Sequence, residues 1–323
     1  MVKNILITGG AGYIGSHITE ILLKQKKKIV LIDNLSTGYK KLINKKAKFF
    51  KLDIQNTKKI NEIIIKNKID SVIHLAASLV IGLGEKYPNK YYKNNVLGTQ
   101  KILIACKGTK VSNFIFSSTA AVYKDGLYKV SENSKLKPKS VYGKTKLKAE
   151  KIIKNFCSKE KINYGILRYF NIAGASPTGK IGLINKSDHL FKNFSREIFK
   201  KKPFFKIYGT NYDTIDGTCI RDFIHVSDIA EIHFKILERI SKLKKSIILN
   251  CGYSKGTSVL EVAKEFERQS LKKIDILKLP RRKGDLGKII ASNDRLNKFI
   301  KWKPKYNKLD LIVKSCLNWE KKQ

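Results

Sequence analysis

Residues Val2 to Gly15 read Val-Lys-Asn-Ile-Leu-Ile-Thr-Gly-Gly-Ala-Gly-Tyr-Ile-Gly. The apolar run up to Thr8 predicts a short buried strand, and it empties straight into glycines. From Ser16 to Leu23 the pattern becomes that of an amphipathic helix. A strand, a glycine turn and a helix in that order form a phosphate cradle. Glycine adopts backbone conformations that other residues resist, and it has no Cβ to hold a pyrophosphate away. Free N–H groups at the helix start, with the helix dipole behind them, favour a negative charge. The spacing fits Gly-x-Gly-x-x-Gly at Gly10, Gly12 and Gly15. It also fits Gly-x-x-Gly-x-x-Gly at Gly9, Gly12 and Gly15, with Tyr13 and Ile14 enclosed.

Glycines gather in turns for many reasons, so the context decides. A second strand, Lys28 to Ile32, ends on Asp33. A carboxylate about 20 residues past the glycines is where a dinucleotide site hydrogen-bonds the adenosine ribose. The combination points to dinucleotide binding rather than a structural turn. Asp33, where an Arg would suit a 2′-phosphate, favours NAD over NADP, although Lys40 and Lys41 lie nearby.

The alternation continues outward. Phe49 to Leu52 predicts a third strand closed by Asp53, followed by a helix from Asn56 to Asn67. Asp53 could meet an adenine edge or cap that helix, and spacing alone leaves both open. Asp70 to Leu75 predicts a fourth strand. The small residues Ala76 and Ala77 after it would let a cofactor lie close over the strand end. His74 reads as a packing or hydrogen-bonding residue, because no partner ligands sit nearby, and no metal site is expected. Tyr91 to Lys107 predicts one long helix, with Asn95 near its start. Asn113 to Ser117 predicts a fifth strand, followed by Ser118-Thr119-Ala120-Ala121-Val122-Tyr123. Leu127 to Lys139 reads as a polar loop, Ser140 to Lys159 as a helix, Tyr164 to Tyr169 as a sixth strand, and Ile247 to Cys251 as a late return to the sheet. The expected fold class is α/β, a doubly wound parallel sheet with a smaller C-terminal α/β lobe. The larger domain would span 1–174 plus about 226–254, and the lobe about 175–225 and 255–323.

Composition narrows the function. The chain has 323 residues and a net charge of +41. Only eight of its 67 basic residues are Arg, whereas phosphate and base-edge recognition leans on Arg. The lysines are spread over the chain with no separable basic tail, so no nucleic-acid partner is expected. The charge would still attract anionic metabolites. No apolar run reaches the roughly 18 residues of a membrane helix, and the chain enters a strand too early to leave room for a signal peptide. Cys106, Cys157, Cys219, Cys251 and Cys316 are scattered without a Cys-x-x-Cys pair. They read as free thiols in a cytoplasmic protein.

Tyr142 and Lys146 are four apart on a predicted helix, so they share a face. A free tyrosine titrates near about 10 and is a poor base at neutral pH. A nearby ammonium stabilises the phenolate. Tyr-x-x-x-Lys is common by chance in a lysine-rich chain. Its place after a strand ending Ser117-Ser118-Thr119, in a dinucleotide fold, makes it a catalytic candidate. Thr119 would hydrogen-bond the substrate oxygen that loses its proton; otherwise its hydroxyl caps the strand end.

At this point the chain resembles the extended short-chain dehydrogenase/reductase superfamily and, within it, the UDP-glucose 4-epimerase family. The carriers are Gly9 to His17 (GGAGYIGSH), Asp33 to Gly38 (DNLSTG), Asn94 to Thr99 (NNVLGT), Phe116 to Tyr123 (FSSTAAVY), Tyr142 to Lys146 (YGKTK) and Arg168 to Asn171 (RYFN). Tyr208 to Tyr212 (YGTNY), Asp216 to Val226 (DGTCIRDFIHV), Asn250 to Gly252 (NCG) and Arg281 to Asp285 (RRKGD) discriminate further.

The resemblance implies a Rossmann sheet with bound NAD. In it Asp33 and Asn34 would hold the adenosine ribose, and Asp53 and Ile54 the adenine. Asn95, Ser117, Lys146 and Tyr169 would line the nicotinamide half. Phe170, Asn171, His189, Leu190, Lys206, Tyr208, Arg221, Arg282 and Asp285 match positions that hold a UDP-sugar. Arginines suit a diphosphate bidentately. Without the family, Arg221-Asp222 could be an internal ion pair and Arg281-Arg282 a solvated loop. The implied reaction interconverts UDP-glucose and UDP-galactose through transient oxidation at C4, with Tyr142 as base and Thr119 assisting. UDP-GlcNAc, UDP-glucuronate and UDP-arabinose are alternative substrates, and a non-catalytic NAD- or nucleic-acid-binding protein is the alternative of another class. The acid pair typical of the dehydratases of this superfamily is replaced by Ala120-Ala121. Leu79 stands where some members carry a lysine, and Lys206 where a small residue is usual. A homodimer is implied through the helices at 91–107 and 142–159.

Overall fold

A computed structural model describes residues 2–184, 189–282 and 286–323. In chain order the elements begin with β1 (Asn4–Thr8), α1 (Tyr13–Lys24), β2 (Lys28–Asp33), β3 (Lys48–Lys51), α2 (Thr57–Lys66) and β4 (Ser71–His74). Next come α3 (Ile81–Lys86), α4 (Pro88–Tyr91), a π-helical segment (Tyr92–Leu97), α5 (Gly98–Cys106) and β5 (Asn113–Thr119). Then follow β6 (Lys129–Val130), α6 (Val141–Lys159), β7 (Asn163–Tyr169), β8 (Asn171–Ala173), α7 (Leu190–Ile198) and β9 (Phe204–Tyr208). The chain goes on through β10 (Ile220–Arg221), β11 (Phe223–His225), α8 (Val226–Leu243), β12 (Ile247–Cys251), β13 (Thr257–Ser258) and α9 (Val259–Ser270). It closes with β14 (Asp275–Leu279), β15 (Lys288–Ala291), α10 (Asp294–Ile300) and α11 (Leu309–Glu320). Two compact units result: residues 1–122, 138–169 and 230–249, and residues 123–137, 170–229 and 250–323.

The first unit is built on a seven-stranded sheet of order β12-β7-β5-β4-β1-β2-β3. Its pairs from β3 across to β7 are parallel. The chain runs outward from β1 to β3, then returns to pair β4 on the other side of β1. That reversal is a topological switch point, where doubly wound sheets open a crevice at the strands' carboxyl ends. Thr8 ends β1 in register with His74 at the end of β4. The central strands are buried on both faces because helices cover both, as β5 shows with Asn113–Ser118 all buried. Helix α2 exposes its lysines and buries Ile60, Ile63 and Ile64, the three- and four-residue spacing of one face. Its N-cap is Asn56, whose side chain accepts from the Lys59 N–H at 3.1 Å.

The single helix expected over 91–107 is not uniform. Residues 92–97 widen into a π turn, and regular α-helix resumes only at Gly98. The widened turn carries Asn95, which is 1% exposed. Asn95 accepts from the Ser78 N–H at 2.7 Å and donates to the Ser78 carbonyl and the Thr145 hydroxyl, both at 3.0 Å. Gly98 allows a close approach there, since a Cβ would stand 2.5 Å from the Ile54 side chain.

The second unit carries a four-stranded sheet of order β13-β10-β15-β6 and two parallel strand pairs, β8 with β11 and β9 with β14. Its core is aromatic: Phe194 stacks on Phe205 at 3.8 Å, and Phe266 meets both edge-on. The segment expected as a polar loop after Leu127 contains β6, which pairs with Ile290 and Ala291 of β15. Two residues are too few to show a period, and the partner strand is remote in sequence, so no local signal marked it.

Candidate active site

Gly9 takes a left-handed backbone, φ +72, and a Cβ on it would lie 2.8 Å from the Ala76 nitrogen. A Cβ on Gly15 would lie 2.4 Å from the Gly9 carbonyl oxygen. The turn therefore closes tightly on itself and on the end of β4, where Ala76 and Ala77 are half-buried. Gly12 is the N-cap of α1, with Tyr13 and Ile14 forming its first turn. Asp33 is buried and accepts from the Leu35 N–H at 2.8 Å and the Ala11 N–H at 3.1 Å. Burial raises its pKa, and those two N–H groups only partly offset this. The exposed Asn34 donates to the Asp53 carboxylate at 2.8 Å, which brings two of the expected adenosine-side residues together. Asp53 does not cap α2; it accepts from the Gln55 N–H at 2.9 Å, ahead of the true cap at Asn56. Ile54 is buried. A glycine cradle that any Cβ would fill, beside a carboxylate fixed at the end of β2, fits a dinucleotide. Gly15→Val is expected to weaken NAD binding at least about tenfold, since overpacking a tight turn shifts it off geometry. Fluorescence titration with NAD reads this directly, and an unchanged affinity would show that the turn does not hold the pyrophosphate.

Tyr142, Lys146, Thr119 and Ser117 meet in the same unit. Ser140 caps α6 by accepting from the Gly143 N–H at 3.1 Å, which starts the helix immediately before Tyr142. Gly143 lies against the Ala121 carbonyl, where a Cβ would stand at 2.4 Å, so α6 begins in close contact with the end of β5. The half-buried Tyr142 is hydrogen-bonded to the Thr119 side chain. Lys146 is 2% exposed; its Nζ donates to the Ser117 carbonyl at 2.8 Å, with the Ser117 hydroxyl at 3.5 Å. Burial presses the Lys146 ammonium down to about 7, against a pull upward from Glu150. Tyr142 differs from the sequence-based expectation. Burial pushes its phenol up to about 12, and the Thr119 hydroxyl only partly offsets this. The Lys146 ammonium, held on the Ser117 carbonyl, does not reverse that shift.

Two further residues stand close by. Tyr169, at the end of β7, is 8% exposed, and its hydroxyl lies 2.6 Å from His233 Nε2. His74 has the hydrogen-bonding role expected of it, between the Thr8 and Thr99 hydroxyls at 2.6 and 3.0 Å. Burial, then the Lys146 charge, drives it down to about 3, so it is neutral at any ordinary pH. Among the described residues no group of His, Cys, Asp and Glu could hold a metal.

Sequence reasoning passed over Glu150. It sits four residues beyond Lys146, eight beyond Tyr142, and forms a buried pair with Arg168. The helical period was the signal that could have found it.

In the second unit Tyr208 and Arg282 come together, the guanidinium 3.9 Å from the ring centroid. Arg281 lies over Tyr212 at 4.1 Å and donates to Asn211 Oδ1 at 2.7 Å. Lys206 and Tyr208 share one face of β9, and the exposed Lys206 lies over Phe204. Arg221 on β10 donates to its neighbour's carbonyl at 3.0 Å and is in register with Ile289 of β15. Asp222 accepts from the Tyr253, Ser254 and Ala291 N–H groups at 2.8, 2.9 and 3.1 Å, so it knits three segments beneath Arg221. Burial nonetheless raises its pKa to about 6. Asn171 is exposed at the start of β8, beside the buried Phe170. His189 donates through Nε2 to the Ile172 carbonyl at 2.6 Å, just before Leu190 opens α7. Asp285 lies outside the described residues. Asn250, which opens the Asn-Cys-Gly segment of the resemblance, is fully buried; it accepts from the Tyr123 hydroxyl at 2.6 Å and donates to the Val130 carbonyl at 2.9 Å.

Known proteins resemble this chain in sequence and fold. The NAD dependent epimerase/dehydratase family matches residues 5–252. A UDP-glucose 4-epimerase of Azospirillum brasilense is 37% identical over 319 residues, covering 98% of this chain and 92% of that protein. A crystal structure of a UDP-glucose 4-epimerase superposes with a TM-score of 0.96 at 35% identity, over 99% of this chain and 98% of that one. The UDP-Glc/GlcNAc 4-epimerase of Campylobacter jejuni does so with a TM-score of 0.86 at 38% identity, over 99% and 100%.

Proposed function

The chain belongs to the NAD-dependent epimerase/dehydratase family, and we propose that it interconverts UDP-glucose and UDP-galactose by transient oxidation at the sugar's C4. The observation that carries this reading is the group Thr119–Tyr142 with Lys146 on the Ser117 carbonyl, at the carboxyl end of a parallel sheet that also bears the glycine cradle. NAD held in the cradle would supply a reversible hydride acceptor for C4, with no net redox change over the cycle. The cradle Gly9–Gly15 takes the pyrophosphate. Asp33 and Asn34 take the adenosine ribose, and Asp53 and Ile54 the adenine. Ala76, Ala77, Asn95, Ser117 and Tyr169 lie along the remaining half.

Tyr142 Oη takes the proton of the sugar 4-hydroxyl, and Thr119 holds the same oxygen through the hydroxyl it shares with that phenol. Lys146 places positive charge one helical turn from Tyr142, which favours the phenolate. Tyr142 then returns the proton when C4 is reduced on its other face. Ala120 and Ala121 offer no acid to expel a hydroxyl, which favours epimerisation over dehydration. In the second unit Arg221 and Arg282 bind the diphosphate, and Tyr208 packs on the uracil. Phe170, Asn171, His189, Leu190, Lys206 and Asp285 complete the UDP-sugar site.

A homodimer accords with Leu97 and Ile104, 49% and 44% exposed one above the other on the π segment and α5. Sedimentation as a monomer at micromolar concentration would remove that assignment. A cytoplasmic setting accords with five free, buried cysteines. Among the described residues no helix is long and apolar enough to cross a membrane.

Incubation with UDP-galactose, UDP-GlcNAc and UDP-glucuronate, without added cofactor, tests the reading by NMR of the 4-epimers. UDP-glucose should form from UDP-galactose. Turnover of another substrate alone would replace the sugar assignment, and no turnover even with NAD would sink the enzymatic one.

A further inference from the structure

Tyr142, Lys146 and Glu150 follow one another at four-residue intervals on α6, so they share one face. The side chains of Glu150 and Arg168 are 1% and 2% exposed. Arg168 reaches in from β7 and grips the carboxylate with two prongs, Nε to Oε1 at 3.0 Å and Nη2 to Oε2 at 2.7 Å. Ser118 donates to the same Oε1 at 2.5 Å. The preceding residue, Ser117, accepts from Lys146 Nζ, which also lies 4.7 Å from the Phe116 ring centroid. Adjacent residues of β5 therefore anchor successive turns of α6: Ser117 holds Lys146, and Ser118 holds Glu150. A buried ion pair is weak evidence for stability, because well-packed apolar side chains of like volume often serve as well. The placement of this one, a turn from Lys146, calls for another reason.

We propose that Glu150, clamped by Arg168 and Ser118, is a positioning residue for the reaction, which seats Lys146 on the Ser117 carbonyl and keeps its ammonium charged beside Tyr142. The inference rests on Tyr142 and Lys146 being the catalytic pair. Burial presses Lys146 down to about 7, and Glu150 is the group that raises it. The other titratable groups facing this cluster are His74 from β4, Tyr142 on α6 and Arg168 from β7, with Tyr91 from α4 acting on Tyr142. His74 is neutral and Arg168 is matched by Glu150 itself. Among these groups Glu150 is thus the one negative partner of Lys146.

The test uses the NAD-saturated enzyme and two variants, Glu150→Gln and the double variant Glu150→Leu/Arg168→Met. Each is made with and without Lys146→Met. Melting temperature is followed from about pH 5 to pH 10, and the difference between the backgrounds with and without Lys146→Met isolates the titration of Lys146 from that of other lysines. The sign is fixed by linkage. A lysine whose pKa is lower folded than unfolded destabilises the fold while it is protonated, so the background that keeps Lys146 gains stability as pH rises through the folded pKa toward about 10.4. In Glu150→Gln that rise should begin about one pH unit lower or more, as expected when an opposite charge nearby is removed, and in the double variant it should begin lower by a smaller amount, because the Arg168 charge leaves as well. The fall of kcat with UDP-galactose on the alkaline side should move down in step, with kcat lower about fivefold near neutrality for a shift of about one unit and KM within a few-fold.

The double variant carries the test if Glu150→Gln does not fold, because it removes both members of the Glu150–Arg168 pair and leaves neither of them buried alone. A double variant that folds with the Lys146 titration and the kcat profile of the wild type would show the pair to be purely structural. A shifted kcat profile with an unmoved Lys146 titration would overturn the proposal as well. Full activity of Lys146→Met would instead sink the catalytic assignment, while the melting experiment would still report on Glu150.

Discussion

Tyr142→Phe should lower the interconversion of UDP-glucose and UDP-galactose by about 10²–10⁴-fold, the range that a positioned acid–base group contributes. The substitution removes one hydroxyl and keeps the ring. Tyr142 is half-buried at the first turn of α6, and its polar partner is the Thr119 side chain. Losing that hydrogen bond costs about 0.5–1.5 kcal/mol, too little to unfold the protein. Affinity for UDP, measured by calorimetry, should stay within a few-fold, because the residues proposed to hold UDP belong to other elements. The phenol is pushed up to about 12 by burial, so the protein alone presents a protonated tyrosine at neutral pH. A phenolate therefore needs positive charge beyond that of Lys146, which the cationic nicotinamide of bound NAD would supply. A Phe variant within a few-fold of wild-type turnover would refute the assignment. A variant that lost UDP affinity in proportion to turnover would refute it too, as evidence of a disordered site.

Arg168→Met should be more destabilising than any other single change proposed for this protein, at about 3–5 kcal/mol. It leaves the Glu150 carboxylate buried, with the Ser118 hydroxyl in place of a full two-pronged grip. A melting temperature lower on the order of ten degrees is expected. Adding Glu150→Leu should recover most of that loss, because the pair is then replaced by apolar side chains of similar reach. Calorimetric scans of the two variants decide it. Equal stability of Arg168→Met and wild type would mean that water reaches the carboxylate. No recovery in the double variant would mean that shape, not charge, is what Arg168 contributes.

Much of the first unit was legible because its signals are local. A hydrophobic run followed by Gly9, Gly12 and Gly15, and then a strand ending on Asp33, reports backbone geometry through residue types a few positions apart. The same holds for Tyr142 and Lys146, whose common face follows from helical period. Free cysteines and a hydrogen-bonding His74 were also readable, since each follows from the lack of partners at ligand spacing.

Other features were beyond local reading. The π turn at 92–97 carries Asn95 to both Ser78 and Thr145, contacts that no window of residues contains. β6 forms because β15 offers it an edge. The role of Asp53 stayed open in the sequence, and it took the hydrogen bond from Asn34, together with the cap at Asn56, to separate it from helix capping.

By itself, then, the sequence determined the order of the sheet strands in the first unit, the tight turn before α1, the carboxylate at the end of β2 and the Tyr–Lys face of α6. Each of these depends on steric and hydrophobic preferences that act over a single turn or strand. Only the tertiary structure decided where the charges are spent. It engaged Lys146 with the Ser117 carbonyl, buried Glu150 against Arg168, and raised the Tyr142 phenol rather than lowering it. Ionisation depends on burial and on groups brought together from distant parts of the chain, and neither exists until the sheet has closed over them.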